Sequence, residues 1–169
     1  MDDCHWIKFG SLYSEPSRNG LTKPKRIRGQ GHKLVNMGEI FRYDRLRSPK
    51  CDRAPLTETE KKTSILKPND LLFARQSLVL SGAGKCSIFL GDPEEVSFES
   101  HIIRIRINGK IAYPLFYYYL FRSTLGRALI ESIVEQGAGA SGIRGSDLKT
   151  LYVPCPKILI QCQIADLLI

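Results

Sequence analysis

The stretch Ile102-Ile103-Arg104-Ile105-Arg106-Ile107 decides the fold class. Its apolar residues recur with a period of two, the side-chain period of a strand. Ile103, Ile105 and Ile107 share one face, and Arg104 and Arg106 share the other. A face carrying two guanidinium groups is either wet or turned toward an anion. Downstream the period changes. Pro114 suits the first position of a helix. Leu115, Tyr118, Tyr119, Phe121, Leu125, Leu129, Ile130 and Ile133 then recur at three- and four-residue spacings, as far as about Glu135. Ser123-Thr124 or Gly126 divides this helical stretch in two. An alternating strand followed by helices indicates an α+β fold, a single globular domain with a twisted, mostly antiparallel β-sheet plus helices.

Shorter signals extend this pattern upstream. Leu71-Leu72-Phe73-Ala74-Arg75 is an apolar run that reads as a buried strand, entered through the turn Lys67-Pro68-Asn69-Asp70. Cys86-Ser87-Ile88-Phe89-Leu90 is strand-like and ends at Gly91-Asp92-Pro93, and Ser81-Gly82-Ala83-Gly84 is the turn before it. Thr57 and Glu60 fit a capping box and predict a short helix or turn before Ile65-Leu66. Residues 35–41 are apolar at intervals and read as a strand, and residues 6–12 as a strand or a short helical turn. Downstream, residues 136–145 form a glycine-rich loop, and Leu151-Tyr152-Val153 is a short strand closed by Pro154 and Pro156. From Ile158 a second apolar-periodic helix begins, with Ile160, Ile164, Leu167 and Leu168 on its partner-facing stripe, and the sequence stops without a C-cap signal. That ending suits a fragment, or an end that packs on a partner. The tyrosines at 117–119 sit at helical spacing and read as core rather than as a stacking platform for bases.

A length of 169 residues, 43% hydrophobic and 25% charged, suits one globular domain and excludes a disordered or collagen-like chain. No run of about 18 apolar residues is present, so no spanning helix is expected. Met1-Asp2-Asp3-Cys4-His5 lacks the basic and apolar regions of a signal peptide. The five cysteines (4, 51, 86, 155 and 162) are scattered and form no CxxC, so they read as reduced thiols of a cytoplasmic protein.

The formal net charge is +8, and it is unevenly placed. Residues 1–53 carry a net +6, residues 54–100 a net −2 and residues 101–169 a net +4. Residues 23–50 alone hold 9 basic and 2 acidic side chains among glycines and prolines. Basic loops of this kind bring backbone N–H groups and guanidinium forks close to phosphates, although a solvated basic surface has the same composition.

Enzyme motifs fail one by one. Gly137-Ala138-Gly139-Ala140-Ser141-Gly142 spells G-x-G-x-x-G, but a helix precedes it where the dinucleotide fingerprint needs a strand. Gly82-Ala83-Gly84-Lys85 lacks the first glycine of a P-loop, with Val79 in its place and Cys86 where Ser or Thr would hold magnesium. Asp52, Glu60 and Lys62 imitate a D…E-x-K nuclease, yet the stretch around Glu60 is wholly polar, whereas that chemistry puts E-x-K on a core strand. His5, His32 and His101 stand apart, without metal-ligand spacing.

Taken in order, the segments resemble a target recognition domain of a type I restriction-modification specificity subunit. Leu66-Lys67-Pro68-Asn69-Asp70-Leu71-Leu72-Phe73-Ala74-Arg75 is similar to that family's L-K-x-G-D-I-L-F-x-R stretch. Gly84-Lys85-Cys86-Ser87-Ile88 and Ser100-His101-Ile102-Ile103-Arg104-Ile105-Arg106 resemble its next strand pair. Pro114 to Leu120, with Ser123 and Gly126-Arg127, looks like its helices, and Gly137-Ala138 through Ile143 and Leu148 like its glycine loop. Val153-Pro154-Cys155-Pro156 and Gln163-Ile164-Ala165 resemble the (I/V)-P-x-P … Q-x-x-I-A entry to its long helix. The series begins at Trp6 and Gly10 and covers nearly the whole chain. Asn69 replaces the usual turn glycine, His101 stands where asparagine is common, and Cys155 and Lys157 dilute the proline cluster.

The resemblance implies a recognition domain over residues 1–156 and the start of a connecting helix over 157–169. It implies a non-catalytic module that reads one half of a bipartite site in double-stranded DNA. A separate methylation subunit would use S-adenosylmethionine, and a restriction subunit ATP and Mg, so the chain itself would hold no cofactor. The candidate DNA contacts are Lys23, Lys25, Arg26, Arg28 and Lys33 in the basic loop, and Arg75, Gln76, Ser77 and Lys85 after the buried strand, with Arg104, Arg106 and Arg144 behind them. Arg75 ends an apolar strand, so its head is expected at the sheet edge, and it is the favoured single contact. Two other readings remain: a small Mg-dependent nuclease built on Asp52, Glu60 and Lys62, and a protein-assembly module without DNA binding of its own.

Overall fold

The computed structural model describes residues 4–169. The reading of Met1-Asp2-Asp3 lies outside the described residues. In chain order the strands are β1 (Cys4–Lys8), β2 (Tyr13–Asn19), β3 (His32–Val35), β4 (Arg45–Arg47), β5 (Asp52–Ala54), β6 (Leu71–Ala74), β7 (Gln76–Ser77), β8 (Cys86–Gly91), β9 (Val96–Phe98), β10 (Ile102–Ile107), β11 (Glu135–Gly137), β12 (Ala140–Gly142) and β13 (Tyr152–Pro156). The helices are α1 (Met37–Arg42), α2 (Glu58–Ser64), α3 (Pro114–Arg122), α4 (Thr124–Glu131), α5 (Gly145–Leu148) and α6 (Ile158–Asp166). The α+β class is as expected, but the strands make four sheets rather than one.

The largest sheet has five strands in the order β2-β10-β6-β8-β4. All its pairs are antiparallel except β4 with β8. Strand β10 lies inside this sheet, and its period of two sorts the two faces. Ile103, Ile105 and Ile107 join Leu71, Phe73, Cys86 and Ile88 in a core with Phe9, Tyr117, Phe121 and Ile130. Ile102, Leu72, Ala74 and Phe89 face a second core made by Val35, Ile40, Leu46, Leu66, Val96 and Phe98. The sheet is thus covered on one side by α3 and α4, and on the other by α1 and the small sheet β5-β3-β9. Arg104 and Arg106 lie on the second face, where they are turned toward the carboxylates of Glu15 and Asp70.

Local signals account for most boundaries. The Thr57–Glu60 capping box forms, with the Glu60 backbone N–H donating to Thr57 Oγ1 and the Thr57 N–H to the Glu60 carboxylate. Ser123 caps α4 and divides the long helical stretch. Asn69 takes φ +74°, a left-handed turn conformation that asparagine tolerates.

Three expectations need correction. Residues 35–41 are not one strand: β3 ends at Val35, and Glu39 accepts from the Asn36 N–H at 2.7 Å, which starts α1. The glycine-rich stretch is not an open loop; it folds as the hairpin β11–β12, turned at Gly139 (φ +88°), and β12 pairs with β7. Pro154 and Pro156 do not close a strand but lie within β13, which pairs only with β1 and so needs no N–H from them on its outer side.

Among the described residues no helix is long and apolar enough to cross a membrane. Helix α6 packs Gln161 and Ala165 inward and leaves Leu159, Leu167, Leu168 and Ile169 exposed.

Candidate nucleic-acid interface

The buried strand β6 delivers Arg75 to the surface, because Leu71–Ala74 are all buried and Arg75 is the first residue past them. Three backbone-level contacts hold it. Its N–H donates to His101 O at 2.8 Å, its carbonyl accepts from Ile143 N at 2.9 Å, and its guanidinium donates to Ser100 O at 3.2 Å. One guanidinium nitrogen is thereby used, and the rest of the fork has no side-chain partner among the described residues. The Ile143 bond brings the β11–β12 hairpin alongside, so that Arg75, Gln76, Gln136, Ser141 and Arg144 line a cleft of about 280 Å³.

The groups in this cleft suit recognition of base edges. Gln76 and Gln136 are exposed, and their amides have no partner among the described residues. A free amide that donates and accepts side by side is the group that reads adenine, as a guanidinium fork reads guanine. Arg144 pairs with Glu135 at 2.6 Å, but both side chains are more than half exposed, so that pair is weak and exchangeable. The Ser77 hydroxyl accepts from Val79 N at 3.2 Å and shapes the turn that follows.

The basic loop divides into fixed and free cations. Lys23 is nearly covered and pairs with Glu60 at 2.8 Å. Arg28 donates to Lys23 O and Asn36 Oδ1, and reaches Asp52 at 3.5 Å. Lys33 pairs with Asp92 at 2.7 Å and Glu94 at 3.6 Å. In the structure these three expected DNA contacts each have a carboxylate partner inside the molecule and so brace the fold. Lys25 and Arg26 differ: both are exposed on the turn Lys25–Ile27, and their side chains have no partner among the described residues. The loop begins beside Arg75, because Leu21 O accepts from the N–H of Ser100, the residue whose carbonyl receives the Arg75 fork.

Three other candidates lie elsewhere. Lys85 turns away from the cleft to donate to Phe41 O at 2.9 Å, with its ammonium 5.5 Å from the Phe41 ring. Arg106 grips Asp70 through Nε and Nη2, both at 2.7 Å, and touches Glu15 at 2.9 Å. Arg104 is 2% exposed and pairs with Glu15. Burial opposes ionisation of Glu15, but Arg104 and Arg106 outweigh it and hold its carboxyl below the usual range. Lys85, Arg104 and Arg106, also expected as DNA contacts, thus lie away from this cleft, and each is held by internal acceptors.

The sequence hid two features. Leu78-Val79-Leu80 is an apolar run, yet Leu78 is 88% exposed on the turn next to Gln76. Gln136 carried no signal, because only the pairing of β12 with β7 brings it to Arg75. The nuclease triad does not assemble. Asp52 lies on β5 against Arg28, Glu60 is occupied by Thr57 and Lys23 on α2, and Lys62 points to solvent.

Comparison with known proteins places this arrangement in context. Residues 33–168 match the family described as type I restriction modification DNA specificity domain. The EcoKI type I restriction enzyme specificity subunit of Escherichia coli (strain K12) is 28% identical over 164 residues, covering 94% of this chain and 34% of that protein. The chain thus spans about a third of the length of the curated relatives it matches. Two solved structures share the fold. One is the S subunit of a type I restriction-modification system from M. genitalium, with TM-score 0.63, 16% identity, and coverage of 98% of this chain and 38% of that one. The other is the HsdS subunit from Thermoanaerobacter tengcongensis, with TM-score 0.66, 15% identity, and coverage of 99% and 37%.

Proposed function

The chain belongs to the type I restriction-modification DNA specificity domain family, and on that premise we propose that it is a target recognition domain that reads one half of a bipartite site in double-stranded DNA. The observation that carries this reading is the cleft at the end of β6, where a guanidinium fork and two unpartnered amides converge on one surface. Arg75, Gln76 and Gln136 meet base edges, while Arg144, Lys25 and Arg26 meet phosphates. Phosphate contacts position the domain, and base contacts specify. The exposed Leu78 supplies an apolar contact of the kind that suits a thymine methyl group.

The module catalyses nothing itself and needs no cofactor. It directs a methylation subunit, which uses S-adenosylmethionine, and a restriction subunit, which uses ATP and Mg, in the cytoplasm. Ile160 and Ile164 on α6, and Leu167 and Leu168 just past its end, are partly or largely exposed, and the proposal gives them to a partner helix. Residues 1–156 form the recognition unit and 157–169 the start of that helix.

The test is selection of duplexes from a randomised pool, followed by titration at two salt concentrations. A single module of this size buries roughly 600–1,000 Å² and binds weakly, so preference is expected at low salt. Arg75→Ala should relax preference at one position, a loss of about 1–3 kcal/mol for the preferred base. Lys25→Ala should weaken all sequences alike and lower the salt slope by about 1. Equal losses on every sequence for both variants would refute the division of roles. Wild-type binding no better than that of a neutral protein would refute the DNA reading.

A further inference from the structure

A second cleft, of about 370 Å³, opens between the edge strand β2 and helix α2. Arg18, Lys61, Lys62, Lys67, Arg104 and Arg106 line it, with Glu15 as the acidic residue among them. The internal carboxylates do not neutralise this set. Glu15 is shared between Arg104 and Arg106, Asp70 is taken by Arg106, and Lys61 pairs with Glu58 at 2.9 Å. Arg18, Lys62 and Lys67 are exposed, and their side chains make no hydrogen bond or ion pair among the described residues. Arg104, with its side chain 3% exposed, also leaves its Nε without a hydrogen-bond partner.

We propose that this cleft binds a phosphate group, and that in the working protein the group belongs to the DNA backbone flanking the bases read at Arg75. The second clause rests on the DNA-recognition reading. Several converging cations with a hydroxyl on the rim, here Ser17, suit a tetrahedral oxyanion better than a planar carboxylate. The two clefts adjoin. Gly145, next to Arg144, packs so closely on Ser17 that a Cβ there would stand 2.9 Å from the Ser17 hydroxyl. A strand whose bases reach Arg75 and Gln76 therefore has its backbone carried past Arg144 and Ser17 into the basic cleft. Edge strand β2 has no strand on its outer side to block that path.

The test uses the full chain and the double variant Lys62→Ala/Lys67→Ala, which changes only exposed side chains. The control, Lys50→Ala/Lys110→Ala, removes the same charge outside the cleft. The cleft variant should lower the salt slope of duplex binding by about 1 unit, near 0.9 for the one phosphate contact, with base preference kept. The control should lower it by less. Equal slopes for cleft variant, control and wild type overturn the proposal. Titration with inorganic phosphate, followed by amide NMR shifts at Ser17, Arg18 and Lys62, separates the sources. Local shifts in a protein that binds no duplex support a phosphate site serving a free ligand, and refute the DNA reading alone. Absence of shifts together with unchanged slopes overturns the site.

Discussion

Replacing Asp70 with Asn isolates the charge that holds Arg106 inside the protein. Asp70 is fully buried and accepts from Arg106 Nε and Nη2, each at 2.7 Å. Its Oδ2 also accepts from Lys67 N at 2.8 Å, closing the turn before β6. The substitution keeps the shape and removes the charge, leaving the Arg106 guanidinium, 14% exposed, with Glu15 as its remaining carboxylate. Breaking one side of a buried pair costs about 3–5 kcal/mol. Glu15 is 39% exposed and offers partial compensation, so the lower end applies, about 3 kcal/mol. For a chain of this size that corresponds to a fall in Tm of about 6–12 °C in differential scanning calorimetry. Arg106→Met in the same background should recover part of the loss, because no uncompensated charge then remains buried. A fall below about 2 °C, equivalent to less than about 1 kcal/mol, would show a solvent-screened pair and refute the argument that Arg106 is held by a buried carboxylate.

Other perturbations probe other parts of the argument. Gln76→Ala should shift base preference at one position without changing the salt slope, and a changed slope in the duplex titration would reassign Gln76 to the backbone. Gly126→Ala should destabilise by about 1–3 kcal/mol in chemical denaturation, since a Cβ there would lie 2.0 Å from Leu120 O and push α4 off α3; an unchanged midpoint would contradict that packing. Glu60 is held below its ordinary value of 4.5, first by Lys23 and then by the Thr57 backbone, and Glu15 is lowered as well. A depressed carboxylate stabilises the fold above its unfolded-state pKa, and that stability is lost as pH falls through the folded-state pKa. Tm should therefore fall as the pH drops below about 4.5, less steeply in Glu60→Gln; equal slopes in the two proteins would count against the Lys23–Glu60 strut. Burial pushes the Cys51 thiol up to about 11 and Cys86 higher still, so alkylation at mildly alkaline pH should label exposed Cys4 well before either. First labelling at Cys86, read by peptide mass mapping, would show that the β8 core opens.

The sequence by itself determined the elements whose cause is local. Period-two isoleucines made β10, an apolar run after a turn made β6, and Thr57 with Glu60 capped α2. The ordered series of short motifs also determined the family, because each motif marks a turn or helix start that the backbone requires. Local reading failed where a residue's partner is distant in the chain. Nothing near Arg104, Arg106, Lys23 or Lys33 shows that Glu15, Asp70, Glu60 and Asp92 wait across the fold. A basic residue looks the same in sequence whether it is a strut or a contact, since charge is local but desolvation is not. The glycine-rich segment likewise became a hairpin only because β7 offered it an edge. Tertiary structure alone decided which cations remain free. It gave Lys23, Arg28, Lys33 and Lys85 acceptors inside the molecule, left the side chains of Lys25 and Arg26 exposed, and set Gln136 in one cleft with Arg75, Gln76 and Arg144. Ion pairs and strand edges form between residues dozens of positions apart, and no local pattern encodes that distance.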